Sequence, residues 1–212
     1  VRHLLRIRVI QEGAPIHGPA LYAMRHESFF EAIDAPCVFG EPVIFAKQEL
    51  LAIPAWGGAG RKYGLIPVAR DEGAKALRDL MRAAKGAKAE GRPFLIFPEG
   101  TYTNGRTLLE FKVGAFAIGK PITPVVFHFP EWVPFWNREE SSFGTQLYRL
   151  AASRKTPVTI EILPTYHPSQ EELDDPALYA KNMRTLLSEH TGRPMSDKSV
   201  YDSPNYKADV PG

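Results

Sequence analysis

At 212 residues, 44% hydrophobic and 24% charged, the chain has the length and composition of one globular domain with a continuous core. A net charge of +2 and an isoelectric point near 8.6 exclude a strong global field for nucleic acid and leave only a mild preference for anionic surfaces. The one cysteine, Cys37, excludes an internal disulfide and leaves a reducing compartment as the default. With nothing basic beside it, it reads as a small buried hydrophobe.

Strand-like runs at 4–10, 20–24, 43–46, 64–68, 94–97, 122–127 and 158–163 alternate with helical patterns. That alternation predicts a single α/β domain with a mixed, mainly parallel sheet of about seven strands flanked by helices. Most runs are short, apolar on both faces and rich in Val, Ile and Phe, as central strands are. The last alternates Val158, Ile160 and Ile162 against Thr159 and Glu161, the pattern of an edge or half-covered strand. The first run begins almost at Val1, so the sequence predicts a preceding segment, with room there for a membrane anchor. No stretch reaches the ~18–20 apolar residues of a membrane-spanning helix, and no signal-peptide pattern is present.

Between the strands, 73–90 reads as a helix with Leu77, Leu80, Met81 and Ala84 on its apolar stripe. Lys75, Arg78, Arg82 and Lys85 then form a solvated basic face. A second helix spans 176–190, with Asp175 as N-cap, Pro176 in its first turn and Gly192 and Pro194 closing it. The domain is assigned to 1–192, and 193–212, polar and without periodicity, to a loosely ordered tail.

Three short blocks hold the chemistry. In MRHESFFE, His26 stands just ahead of a short apolar helix and Glu31 follows five residues on. Two assignments compete for Glu31. Ser28 and Glu31 have capping-box spacing, which would turn the carboxylate back to the Ser28 N–H. Alternatively Glu31 meets the imidazole, which requires His26 to precede the helix, since five residues on a continuous helix is ~500°. In GLIPVAR an apolar strand ends on Arg70, whose simplest partner is a neighbour such as Asp71. In FPEGT the run LIF ends in Phe97, Pro98, Glu99, Gly100 and Thr101, a turn that can present a carboxylate and backbone N–H groups.

In that order the blocks resemble the glycerolipid acyltransferases, the 1-acylglycerol-3-phosphate acyltransferases and their lysophospholipid relatives. The likeness runs from about Leu4 to His190. His26, Ser28 and Glu31 match the family's histidine, serine and acid, with Glu for the usual Asp, and Arg25 stands where many members have Asn. The apolar strand 122–126, centred on Pro124, matches the fourth block. The resemblance implies His26 as base, Glu31 as its orienting acid, Arg70 as the contact for the acceptor's phosphate, and Glu99, Gly100 and Thr101 as the acceptor turn. It implies transfer of an acyl group from acyl-CoA or acyl carrier protein to the sn-2 hydroxyl of a lysophospholipid, at the cytoplasmic face of a membrane. Acyl-CoA is then a co-substrate, and neither a cofactor nor nucleic acid is involved. His3, His17, His128, His167 and His190 lack metal-ligand spacing, so no metal site is expected.

After residue 97 the chain is most similar to the lysophosphatidylcholine and lysophosphatidylethanolamine acyltransferases, in TYTNG, LEFKVGAF and ILPTYHPSQEELDDPALYAKNMR. Tyr102 stands where many lysophosphatidic acid enzymes have arginine, which points to an acceptor that keeps its head group. The alternatives are a 1-acylglycerol-3-phosphate acyltransferase making phosphatidic acid and, from another class, a non-catalytic lipid-binding protein on the same fold. A serine hydrolase is disfavoured because no G-x-S-x-G elbow is present. Trp132, Phe135, Trp136, Phe143 and Tyr148, interspersed with arginines, have the composition of a lipid-interface patch or of rings that cover the sheet.

Overall fold

Seven strands form one sheet: β1 (Ile7–Glu12), β2 (Leu21–Met24), β3 (Val43–Lys47), β4 (Leu65–Val68), β5 (Phe94–Ile96), β6 (Thr123–His128) and β7 (Thr156–Ile162). Their order is β1-β7-β6-β2-β5-β3-β4. The computed structural model describes residues 7–16, 18–47, 64–68, 73–103, 105–130 and 156–202, with single positions at 58, 60, 145, 148 and 152. From β6 to β4 every pairing is parallel; β6 and β7 are antiparallel, and β1 is parallel to β7. The sheet is therefore mixed and mainly parallel, as the alternation of elements predicts. β7 is not an edge strand, because β1 pairs along its outer side from Ile7↔Thr156 to Glu12↔Glu161. It is half-covered: Val158, Ile160 and Ile162 are buried while Pro157 is exposed.

Side-chain alternation sends β2 into two cores. Leu21 and Ala23 join a cluster with Leu80 and Ala87 of helix α2 (Gly73–Ala89), Phe116 of α3 (Val113–Phe116), and Tyr179, Met183 and Leu187 of α5 (Pro176–Thr191). Tyr22 and Met24 face the other way, onto Phe30, Ala35 and Val38 of α1 (Phe29–Phe39). Helices thus cover both faces. The short α4 (Gln170–Asp174) precedes α5, whose start is fixed by Asp175 accepting from the Ala177 and Leu178 N–H groups and whose end is Gly192 at φ 64°.

Two details differ from the sequence pattern. Met81 is exposed, because α2 packs through Leu80 and Ala87 with Leu77, Ala83 and Ala84 half-buried, turning Met81 outward. Cys37 is exposed rather than buried. The buried side of α1 centres on Glu31, Asp34, Ala35 and Val38, and Cys37 lies roughly a third of a turn away.

The tail also differs over part of its length. Residues 194–198, expected to be loosely held, run beside 108–110. The Leu108 N–H donates to Pro194 O, the Ser196 N–H to Leu108 O and the Glu110 N–H to Lys198 O. Val200 is buried beyond them.

Candidate active site

Strand order brings the first and third blocks together. β2 and β5 are parallel neighbours, in register from Leu21↔Phe94 to Ala23↔Ile96, so both chains leave the sheet at the same edge. From β2 comes Arg25-His26; from β5 comes the turn 97–101. The C-terminal edge of parallel strands is where open α/β sheets hold ligands. A Thr103 N–H bond to His26 O, 2.8 Å, ties the two exits together.

His26 precedes α1, as a meeting with Glu31 requires. Ser28 is the N-cap, in extended conformation, and its Oγ accepts from the Phe30 N–H at 3.2 Å. Glu31, fully buried in the first turn, reaches back. Its Oε1 accepts from the Glu27 and Ser28 N–H groups at 2.8 and 3.0 Å, and its Oε2 lies 2.7 Å from His26 Nδ1. The two assignments weighed for Glu31 are therefore both realised: the Ser28 N–H reaches both carboxylate oxygens, at 3.0 Å each, and Oε2 also holds the imidazole. Burial pushes the Glu31 carboxyl up, against the pull of the backbone N–H bonds and of Arg25.

The imidazole lies between two aromatic rings. Phe97 stacks on it at a centroid separation of 3.9 Å and 19°, and Tyr102 at 3.7 Å and 31°. Rings this close and this nearly parallel occupy opposite faces of the imidazole. Tyr102 thus turns one ring face to the histidine.

The turn itself is closed by the Gly100 N–H on Phe97 O at 2.9 Å. Gly100 sits at φ 71°, where a Cβ would meet the stem of Lys112. The Lys112 N–H also bonds Pro98 O at 2.8 Å. Glu99 points inward and is fully buried, with Oε2 accepting from the Leu109 N–H at 2.9 Å. Its Oε1 is 3.8 Å from Arg25 Nε. Burial raises the Glu99 carboxyl to about 7, with Arg25 and the Leu109 N–H pulling the other way. Thr101 is buried, and its Oγ1 has no hydrogen-bond partner among the described residues.

Sequence reasoning missed the network behind the turn. Arg25, buried, pairs with Glu27 at 2.9 Å and donates to Gly105 O at 3.2 Å, so it grips both the histidine segment and the loop after the turn. Gly105, at φ 71°, lies so close to the Glu27 carboxylate that a Cβ would clash with it. Burial raises Glu27, Arg25 lowers it and Glu31 raises it further. From α5, Arg184 donates to Leu108 O at 2.7 Å and to Ser196 O, clamping the loop to the tail segment. The one sequence signal for this network is Arg25 standing where many relatives carry Asn.

Arg70 lies outside the described residues; β4, which leads to it, ends at the same sheet edge as β5. Of the aromatic patch, only Tyr148 is described, and it is exposed. Among the described residues no His, Cys, Asp and Glu cluster is placed to hold a metal ion. No helix among them is long and apolar enough to cross a membrane.

Known proteins are similar to this chain in sequence and in fold. The human protein called lysophospholipid acyltransferase LPCAT4 is 34% identical over 199 residues, 91% of this chain and 38% of its own length. Lysophosphatidylcholine acyltransferase 1 of Danio rerio is 34% identical over 205 residues, 94% of this chain and 39% of its own. The chain thus spans about two fifths of these relatives. In fold it is similar to the crystal structure of the 1-acyl-sn-glycerophosphate (LPA) acyltransferase PlsC from Thermotoga maritima. There the TM-score is 0.54 at 22% identity, over 86% of this chain and 71% of that one. A sequence model described as Acyltransferase matches residues 6–128, more than half of the chain, and that span holds His26, Glu31, Arg70 and the 97–101 turn. The chain belongs to the acyltransferase family.

Proposed function

We propose that this domain transfers a fatty acyl group from a thioester carrier, acyl-CoA or acyl carrier protein, to the sn-2 hydroxyl of a 1-acyl glycerophospholipid. The observation that supports this most is the 2.7 Å contact between His26 Nδ1 and the buried Glu31. With Nδ1 held by the carboxylate, Nε2 is the ring atom assigned to proton transfer. It takes the acceptor's hydroxyl proton as the oxygen attacks the thioester carbonyl. Collapse of the tetrahedral intermediate then expels the thiolate, which recovers that proton from the imidazolium. No acyl-enzyme is needed, and the buried Glu31 stabilises the imidazolium between the two steps.

Arg70 is the proposed contact for the acceptor phosphate, since a planar guanidinium matches two phosphate oxygens. Gly100 and Thr101 belong to the acceptor turn. Glu99, facing inward, serves acceptor binding by holding the turn against the 105–109 loop. An acceptor that resides in a bilayer places the reaction at a membrane surface, and a water-soluble thioester donor places it on the cytoplasmic face. The relatives named for lysophospholipid and lysophosphatidylcholine favour an acceptor that keeps its head group.

The test offers purified protein labelled acyl-CoA and a panel of lysophospholipids that differ only in head group, lysophosphatidic acid included. The expected result is ester formation with preference for a head-grouped acceptor. Preference for lysophosphatidic acid would assign the chain to phosphatidic acid synthesis, and binding without transfer would make it a lipid-binding protein.

A further inference from the structure

Tyr102 follows the 97–101 turn, and its half-buried ring lies 3.7 Å from the His26 imidazole on the face opposite Phe97. Glu31 meanwhile engages the Nδ1 edge of the ring. Both faces and the Nδ1 edge of the imidazole are thereby held.

We propose that Tyr102 is a positioning residue for the base: with Phe97 it forms a π sandwich that orients the imidazole and stabilises the imidazolium formed during transfer. This rests on the acyl-transfer assignment to His26, and it deepens that assignment. The physical distinction is between a ring face and a merely apolar wall. An aliphatic wall withdraws water and disfavours the charged imidazolium. An aromatic face withdraws the same water but turns its negative quadrupole toward the cation.

The charged groups around the pair act on every variant alike. Among the described residues they include Glu31 from α1, Arg25 and Glu27 on the histidine's own segment, and Glu99 on the turn behind Arg25. Farther out, His128 at the end of β6 and Arg193 after α5 act on Glu27. A change confined to position 102 therefore reports on the ring face.

The experiment titrates His26 by NMR in protein labelled at histidine, with the signal assigned by its loss in His26→Ala. Tyr102→Phe keeps the face, Tyr102→Leu keeps only apolar bulk, and Tyr102→Arg puts a cation in its place. The expected order of His26 pKa is wild type equal to Phe, then Leu, then Arg. Loss of the face should shift the protonation equilibrium about 3- to 10-fold towards neutral imidazole. The acidic limb of kcat/KM should move to lower pH in Leu, with kcat reduced about as much and the acyl donor KM unchanged.

A wild-type titration in Tyr102→Leu, or an equal shift in Tyr102→Phe, would overturn the proposal. Should Leu perturb folding, the Phe and Arg variants decide: the proposal requires Arg to fall below Phe and Phe to match wild type. Failure of the acyl-transfer assignment is a separate result, seen as undiminished transfer by folded His26→Ala.

Discussion

Two helices in this domain start with the same device and put it to different uses. α1 opens on Ser28 and Glu31, α4 on Ser169 and Glu172, and each is a complete capping box with a buried glutamate. In α4, Glu172 Oε2 accepts from the Ser169 N–H at 2.7 Å, while Oε1 takes the Tyr166 hydroxyl at 2.5 Å and Asn182 Nδ2 at 2.8 Å. Burial pushes Glu172 up, but these donors outweigh it and hold the carboxyl below its ordinary range. At Glu31 burial wins and the carboxyl is raised. Neither a phenol nor an amide exchanges a proton near neutral pH, whereas an imidazole does. The box fixes where the carboxylate points; the partner beyond the box decides between scaffold and chemistry.

The largest effects should separate the two boxes outright. His26→Ala is expected to lower transfer by at least about 10²–10⁴-fold, the share of a general base, with the unfolding midpoint close to wild type. Glu31→Gln keeps an oxygen for the Glu27 and Ser28 N–H groups but cannot stabilise an imidazolium, and should cost about 10²-fold or more in kcat. Glu172→Gln should do the reverse, losing about 1–2 kcal/mol in denaturant titration with kcat/KM unchanged. Full turnover in a stable Glu31→Gln protein would reduce α1 to a second copy of α4.

Next in size is a dependence on pH that sets the buried carboxyls of the site against Glu172. Glu99 holds its proton up to about 7 in the folded protein but titrates near 4.5 when unfolded. Below 4.5 both states are protonated and Glu99 adds no dependence. Between those values the unfolded chain releases the proton first, so stability falls as pH rises, by up to about 3 kcal/mol, and levels off above the folded value. Glu172, with its lowered carboxyl, acts in the opposite sense: its contribution is present above 4.5 and lost as pH falls below it. Unfolding free energies at pH 5 and pH 8 should show Glu99→Gln gaining on wild type at the higher pH. Equal differences at both pH values would mean that Arg25 keeps Glu99 ionised throughout.

All seven strands were legible because each is an apolar run bounded by turn residues. β1 nevertheless runs to Glu12 and β7 starts at Thr156, because pairing with each other extends both past their apolar stretches. Sheet order was not legible: β2 and β5 are neighbours although β3 and β4 lie between them in sequence, and that adjacency builds the site. The His26–Glu31 pair was half visible. Its spacing permitted contact only if the helix began after His26, a boundary that the Ser28 cap sets. Apart from Arg25 standing where many relatives carry Asn, the sequence did not mark Arg25, Glu27 and Glu99 as a buried network, since charged residues read as surface until the fold gives them partners. Tyr102 was singled out for an acceptor, while its neighbour in the structure is the base.

The smallest expected effect probes the serines that the two boxes share. Ser28 Oγ accepts from Phe30 N at 3.2 Å, and Ser169 Oγ from Glu172 N, also at 3.2 Å. Removing either hydroxyl leaves one helix N–H without its side-chain acceptor, a loss of about 1 kcal/mol in each case. The consequence for turnover should be small even at Ser28. Glu31 is held by N–H groups of the backbone at Glu27 and Ser28, which an alanine retains, and its bond to His26 does not involve the hydroxyl. Ser28→Ala and Ser169→Ala should therefore lose similar stability in denaturant titration, with kcat/KM of both within about threefold of wild type. If Ser28→Ala instead lost activity on the scale of Glu31→Gln at an equal stability cost, the hydroxyl would be acting on the reaction itself. The two helix starts would then differ in the serine as well as in the partner of the glutamate.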